Sequence, residues 1–341
     1  MFSLLFTTLA LPALALSKTL PAKTLGQLPL GTWLENIAVR PNGDLLATQM
    51  WPSAKIYTIR DPSDCENSLE ELVSIPAIQS IYGITEVPSY RSRAEKFIFV
   101  GSNSTGLGVP ITGTFSAWSI EFQTSHYGSK VKAKKISDMD KKSGFLNGVA
   151  AIPHRSDAVL VADSANGLVG RLDLASGKFD TSAFVFPQMA PIKGAGLPIG
   201  VNGIQIHDGY LYFDNSYEVA VYRIPITPAG YPVKGAKPEL FVNLSSGLTF
   251  LDDFALDTKG NLYGASNFDN SVVFVNGATR KWKIVAGGVG EMTVAGSTAV
   301  AFGRGRRDRD VLYVSTGGAL AKPVNDTKTE GAKVVAVDTQ P

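Results

Sequence analysis

The chain has 341 residues, of which 44% are hydrophobic and 18% charged, and its formal net charge is only +2. No large field of one sign therefore marks it for nucleic acid or for an anionic membrane surface. Its 34 glycines and 19 prolines suit a turn-rich all-β protein, and its one cysteine excludes an internal disulfide, so an apolar core must supply the stability.

Met1 to Leu16 is almost wholly apolar and ends in the small-residue runs Ala13-Leu14-Ala15 and Ala15-Leu16-Ser17. It is short for a membrane span, and either run fits a cleavage site. Residues 1–17 read as a signal peptide and 18–341 as one domain. The alternative is an anchor, since no Lys or Arg precedes the apolar run. Three sequons begin at Asn103, Asn243 and Asn325, and agree with N-glycosylation in the secretory pathway, in transit to the outside or to a vesicular or vacuolar lumen. Cys65, in the polar run DPSDCENS, reads as an inert loop thiol.

One pattern then recurs along the chain: a short strand opening on a polar or small residue, a turn, an apolar strand ending in small residues, and a further strand. Copies open at Glu35, Gly83, Asn147, Asn202, Asp252 and Ser297, with spacings of 45 to 64 residues. That spacing predicts a six-bladed β-propeller of four-stranded antiparallel blades. Pro41-Asn42-Gly43-Asp44, His207-Asp208-Gly209 and Thr258-Lys259-Gly260-Asn261 supply hairpin turns. Residues 18 to 34 are expected to provide an outer strand that completes the last blade. Closure of this kind removes free sheet edges. Lys130 to Lys142 reads as a solvated outer strand, and Arg304 to Asp310 as a charged hairpin.

The inner strands of a propeller line its central channel, so the residues opening them converge. Glu35, Asn147, Asn202 and Asp252 would face one another, and their oxygens suit a hard cation such as Ca²⁺. The other reading is that Asn-Gly and Asp-Asp only satisfy turns at strand starts. The order Glu, Asn, Asn-Gly, Asp, with the run DDFALDTKGNLYGASNFDNSVV, resembles the gluconolactonase-like (senescence marker protein) six-bladed propellers. The resemblance implies that Glu35, Asn147, Asn202 and Asp252 are divalent-metal ligands and that Asp252 does acid–base work. Two positions depart from that pattern. Phe145 stands where the lactonases carry Arg, which makes the pocket more apolar. Asp253 stands where they carry Gly, which alters the metal geometry.

The runs TWLENIAVRPNGDLLAT, LDDFALD and AGSTAVAFGR are similar to a fungal secreted branch that includes hetero-Diels–Alderases of tropolone–sesquiterpenoid biosynthesis. This likeness implies a cycloaddition that needs no cofactor. It would join two small apolar substrates, a tropolone quinone methide and a macrocyclic terpene such as humulene. Asn147 and Asn202 would donate to the heterodiene oxygen, Asp252 or Asp253 would assist dehydration, and Trp33, Phe145 and Phe250 would cradle the terpene. The parent lactonase chemistry and a non-catalytic binding propeller are the two alternatives.

Other chemistry is poorly supported. No G-x-S-x-G occurs, and His126, His154 and His207 form no zinc pattern. The Gly194, Gly196, Gly200 loop does not follow a strand and open a helix, so it does not read as a phosphate cradle. The basic runs lack interleaved aromatics, so no nucleic-acid partner is expected. No stretch after the leader is apolar enough to span a membrane.

Overall fold

The computed structural model describes residues 19–64, 68–88, 94–122 and 131–340, so the leader, Cys65 and His126 lie outside the described residues. Apart from two single-turn 3₁₀ segments, Pro187–Met189 and Asn267–Asp269, the described elements are β-strands. They form six four-stranded antiparallel sheets arranged as a six-bladed propeller, with one small two-stranded ribbon. No helix among these residues is long and apolar enough to cross a membrane.

Blades one to five run outward in chain order from their inner strands: Trp33–Val39, Ser80–Val87, Leu146–Ala151, Val201–His207 and Phe254–Leu256. The lysine-rich strand Val131–Asp138 is the outermost of blade two, with its side chains largely in solvent. Blade six takes Ser297–Phe302, Val311–Thr316 and Gly331–Asp338 from the C-terminal end and Ala22–Leu30 from the N-terminal end. The pairing runs from Ala22 with Val337 to Leu30 with Gly331. The expected closing strand is therefore present, and it covers an edge that would otherwise template aggregation. Leu20 N also donates to Val285 O at 2.7 Å, tying this end to blade five.

Apolar clusters fill the seams between neighbouring blades. Leu46, Ile56, Ile81 and Phe97 join blades one and two. Leu160, Phe184, Ile204 and Phe213 join three and four, and Leu34, Tyr313 and Val334 join six and one. Each fully buried side chain of this size contributes about 1.5–3 kcal/mol, which lets the ring hold without a disulfide.

The inner strands carry irregularities that the repeat pattern does not display. Register shifts fall between Ile81 and Ile84, Leu146 and Val149, Val201 and Ile204, and on both sides of Leu34. Asn147-Gly148 and Asn202-Gly203 sit inside these bulges rather than in turns. Glycine is required there because adjacent inner strands nearly touch. A Cβ on Gly83 would lie 2.4 Å from Asn147 O, and one on Gly148 would lie 2.4 Å from Asn202 O. The equivalence corrects one repeat position: the blade-two counterpart of Asn147 is Tyr82, and Gly83 matches Gly148.

Candidate active site

Register shifts in blades one, three and four bring Glu35, Asn147 and Asn202 to one end of the channel, where Asp252 joins them, as bulges beside active sites commonly do. A cavity of about 390 Å³ opens there. Glu35, Asn147, Asn202 and Asp252 form its floor, and Trp33, Phe145 and Phe250 stand in its wall. All seven are buried.

The floor is a hydrogen-bonded network. Asn202 Nδ2 donates to Asp252 Oδ1 at 2.9 Å and to Ser216 Oγ at 3.0 Å. Asn267 Nδ2 donates to Asp252 Oδ2 at 2.9 Å. The Trp33 indole N–H donates to Glu35 Oε2, and the Asn147 side chain also bonds the Glu35 carboxylate. An amide nitrogen has two hydrogens, so Asn202 has none left for a substrate. Asn202, expected as a donor to a bound oxygen, instead directs both N–H groups to protein partners and holds Asp252 in place. Asn147 keeps an N–H to offer.

Asp253 does not line the cavity. Its Oδ2 accepts from Asn36 Nδ2 at 2.8 Å and its Oδ1 from Phe254 N at 2.7 Å. It lies beside Gly203, where a Cβ would be 2.4 Å from Asp253 Oδ1. Successive side chains point to opposite sides of an extended chain, so Asp252 facing the cavity sends Asp253 behind it. Asp253, expected beside Asp252 as a catalytic residue, thus braces blade five to blade one across the channel.

Four residues of the site gave no clear signal in the sequence. Asn267 opens the 3₁₀ turn after the second strand of blade five and donates to Asp252. Phe268 stacks on Phe250 at 4.3 Å between ring centroids, and Tyr217 meets Phe250 edge-on at 5.2 Å. Tyr82 is fully buried behind the wall, edge-on to Phe145 at 5.3 Å, and fills the blade-two sector of the channel. The loop containing Gly196 brings Gly196 and Leu197 to the cavity mouth.

Burial dominates the electrostatics. It pushes the Glu35 carboxyl up to about 7, against the hydrogen bond from Trp33. Burial, reinforced by the charge of Glu35, raises Asp252 well above the usual carboxylate range. Asp253 is raised to about 6 by burial. Because these folded-state values lie above the unfolded ones, their stabilising contribution is complete at about pH 4 and is lost as pH rises through 6 to 7. The shift of Glu35 alone corresponds to roughly 3 kcal/mol. The metal-free protein should accordingly have a higher Tm at pH 5 than at pH 8, as a thermal scan across that range would read; a Tm rising from pH 5 to pH 8 would contradict these shifts.

Two buried carboxylates with adjacent amides form a hard oxygen set that lacks a cationic partner: no Lys, Arg or His pairs with Glu35 or Asp252 among the described ion pairs. The spare lone pairs of Glu35 and Asp252 and the Asn202 Oδ1 suit a cation of the Ca²⁺ type in donor chemistry. No group of three or more His, Cys, Asp or Glu among the described residues is placed to hold a metal ion, so any such site would depend on amide oxygen.

Two sequence relatives bear on identity. A protein of Phoma sp named "Putative hetero-Diels-Alderase" is 30% identical over 331 residues, covering 89% of this chain and 88% of the relative. The chain belongs to the hetero-Diels–Alderase family. A second relative of that name, from Sarocladium schorii, is 29% identical over 352 residues, covering 94% of this chain and 84% of the relative. No protein-family model matches. Among solved structures, a luciferin-regenerating enzyme superposes with a TM-score of 0.63 at 13% identity, over 93% of this chain and 95% of its own. A calcium-binding regucalcin from Agrobacterium tumefaciens gives 0.58 at 14% identity, over 94% and 96%. At such identities these structures speak for the fold alone.

Proposed function

We propose that the cavity is a hetero-Diels–Alderase site, joining a tropolone quinone methide to a macrocyclic sesquiterpene such as humulene. The observation that carries this reading is the division of one cavity into a small polar floor and an aromatic wall, in a chain whose relatives bear the hetero-Diels–Alderase name. The reaction makes one C–C and one C–O bond and releases nothing, so it asks for positioning rather than a nucleophile. Holding both partners in one reactive geometry removes much of the barrier. The wall formed by Trp33, Phe145 and Phe250 seats apolar carbon and keeps water from the electrophilic quinone methide.

The polar floor acts on the oxygen of the heterodiene. The free N–H of Asn147 and the O–H of protonated Glu35 donate to that oxygen, where negative charge builds in the transition state. The same carboxyl serves the preceding dehydration. Glu35 gives its proton to the hydroxyl of a hydroxymethyl-tropolone, the C–O bond breaks and water leaves. The ring hydroxyl then returns a proton to Glu35. Burial, reinforced by the charge of Asp253, keeps the Glu35 carboxyl in the range where both transfers run, while Asp252 is held beside it by Asn202 and Asn267. Passage through the secretory pathway, with glycans on Asn243 and Asn325, which are exposed, and on Asn103, which is half-buried, belongs to this reading.

A second reading rests on the oxygen set. A divalent cation, if bound, would be held by Glu35, Asn202 and Asp252 and would supply Lewis-acid polarisation of a carbonyl, as in a lactonase. One experiment separates the two. Purified protein is incubated with hydroxymethyl-tropolone and humulene, with and without EDTA, and products are resolved by chiral chromatography. A single enantiomer formed above background and insensitive to EDTA is expected. Racemic product at the background rate, together with Ca²⁺-dependent hydrolysis of a lactone panel, would overturn the cycloaddition.

A further inference from the structure

The connections between second and third strands are not equal around the ring. In blades one, three, four and five they span three or four residues, but blade two uses thirteen (103–115) and blade six fourteen (317–330). The crossing from blade three to blade four is also long, at sixteen residues (185–200). All three reach the cavity mouth, contributing Leu107, Val109, Leu197 and Ala321.

The blade-two insertion is a built element. It folds as a ribbon of Ser104–Gly106 against Val109–Pro110, with Gly108 at φ +66° making its tip. Its base is pinned to the blade: Ser104 N donates to Gln79 Oε1 at 2.9 Å, and the Ser104 and Ser80 hydroxyls meet at 2.7 Å. Ile111 N bonds Asn103 O at 2.8 Å. The tip nevertheless leaves Val109 52% exposed, and across the mouth Leu197 is 42% exposed. Of the nine large apolar side chains exposed in the described residues, five lie on the blade-two and blade-three-to-four connections. The polar floor beneath, by contrast, is at most 6% exposed.

We infer that this apolar rim, centred on Val109 and Leu197, is the seat of the hydrocarbon partner, and that binding is ordered, with the oxygenated partner entering first. The inference rests on the cycloaddition reading and adds to it which substrate each part of the cavity takes. The hydrogen-bonding groups lie only at the bottom, so an oxygenated ring gains its contacts there. A hydrocarbon gains nothing from those groups, and leaves them unpaired if it reaches them. Seated at the rim, against Val109 and Leu197 of the same cavity, it stands between solvent and the floor. It therefore has to arrive second.

The test uses the full protein and two probes that do not react, tropolone and humulene, with binding followed by quenching of tryptophan fluorescence, since Trp33 stands in the cavity wall. Val109→Asp and Leu197→Asp change exposed positions, and circular dichroism would establish that they fold. Each is expected to weaken humulene binding tenfold or more while tropolone affinity moves by less than twofold. In stopped-flow mixing, wild-type protein preloaded with humulene should bind tropolone at least tenfold more slowly than free protein. Equal losses for both probes, an unchanged humulene affinity, or a tropolone association rate indifferent to humulene would overturn the inference. Wild-type protein that binds neither probe is a different result: it removes the cycloaddition reading itself.

Discussion

Glu35→Ala should lower the rate of stereoselective adduct formation from hydroxymethyl-tropolone by 100-fold or more. The substitution removes the proton that the departing hydroxyl needs and a donor to the heterodiene oxygen. General acid catalysis and a single donor to developing charge are each worth about 10²-fold or more. It also leaves the Trp33 indole N–H, which now bonds Glu35 Oε2, without a partner in a buried wall, at a cost of about 1–3 kcal/mol. Glu35→Gln separates the two roles, because a carboxamide keeps an N–H donor and cannot deliver a proton. With hydroxymethyl-tropolone this variant should fail much as the alanine variant does. With a quinone methide generated chemically in the mixture it should retain cycloaddition within about tenfold of the wild type. Because burial holds Glu35 at about 7, the acid form is lost above that value, so the wild-type rate should fall as pH rises through 7. A flat pH–rate profile from 5.5 to 8.5, with Glu35→Gln as active as wild type on the alcohol, would remove Glu35 from the chemistry.

Gly331→Val should unseat the closing strand. Gly331 pairs with Leu30, and a Cβ there would lie 1.7 Å from the carbonyl oxygen of Leu28. That oxygen belongs to backbone, so the clash cannot be relieved by rotating a side chain. Overpacking of this kind costs about 3 kcal/mol or more, which lowers Tm by about 5 °C or more in a domain of this size. The outer strand Ala22–Leu30 would lift away, exposing the edge of Gly331–Asp338 and promoting aggregation. Gly106→Ala is the matched control: nothing lies within 4 Å of its Cβ and its φ is ordinary, so its Tm should stay close to wild type. Equal Tm values for the two variants would mean that the strand does not hold the ring closed.

Much of the site could be read before folding because a propeller repeats. Equivalent positions in successive blades converge on one axis, so Glu35, Asn147, Asn202 and Asp252 could be placed together from their spacing. Trp33, Phe145 and Phe250 could be placed beside them because they are near neighbours in sequence of those openers. Asn267, Tyr217 and Phe268 were not legible in this way. They lie at the end of second strands or just beyond, and they reach the cavity only because four-residue connections fold them back over it. Leu107, Val109 and Leu197 lie on insertions that break the repeat, and no periodic signal points to them.

The sequence by itself determined the architecture: alternating strand and turn signals at blade-length spacing, six copies, and an N-terminal strand left over to complete the last sheet. These follow from local chemistry, the turn residues and the apolar runs, which act over a few residues. Only the tertiary structure decided which way the polar side chains point. Successive side chains of an extended chain point to opposite sides, so Asp252 enters the cavity while its neighbour Asp253 turns to Asn36 across the channel. Likewise, the sequence could name Asn202 as a donor but could not count its free hydrogens. Those were spent on Asp252 and Ser216, the first a residue 50 positions away that only the closed ring brings within 2.9 Å.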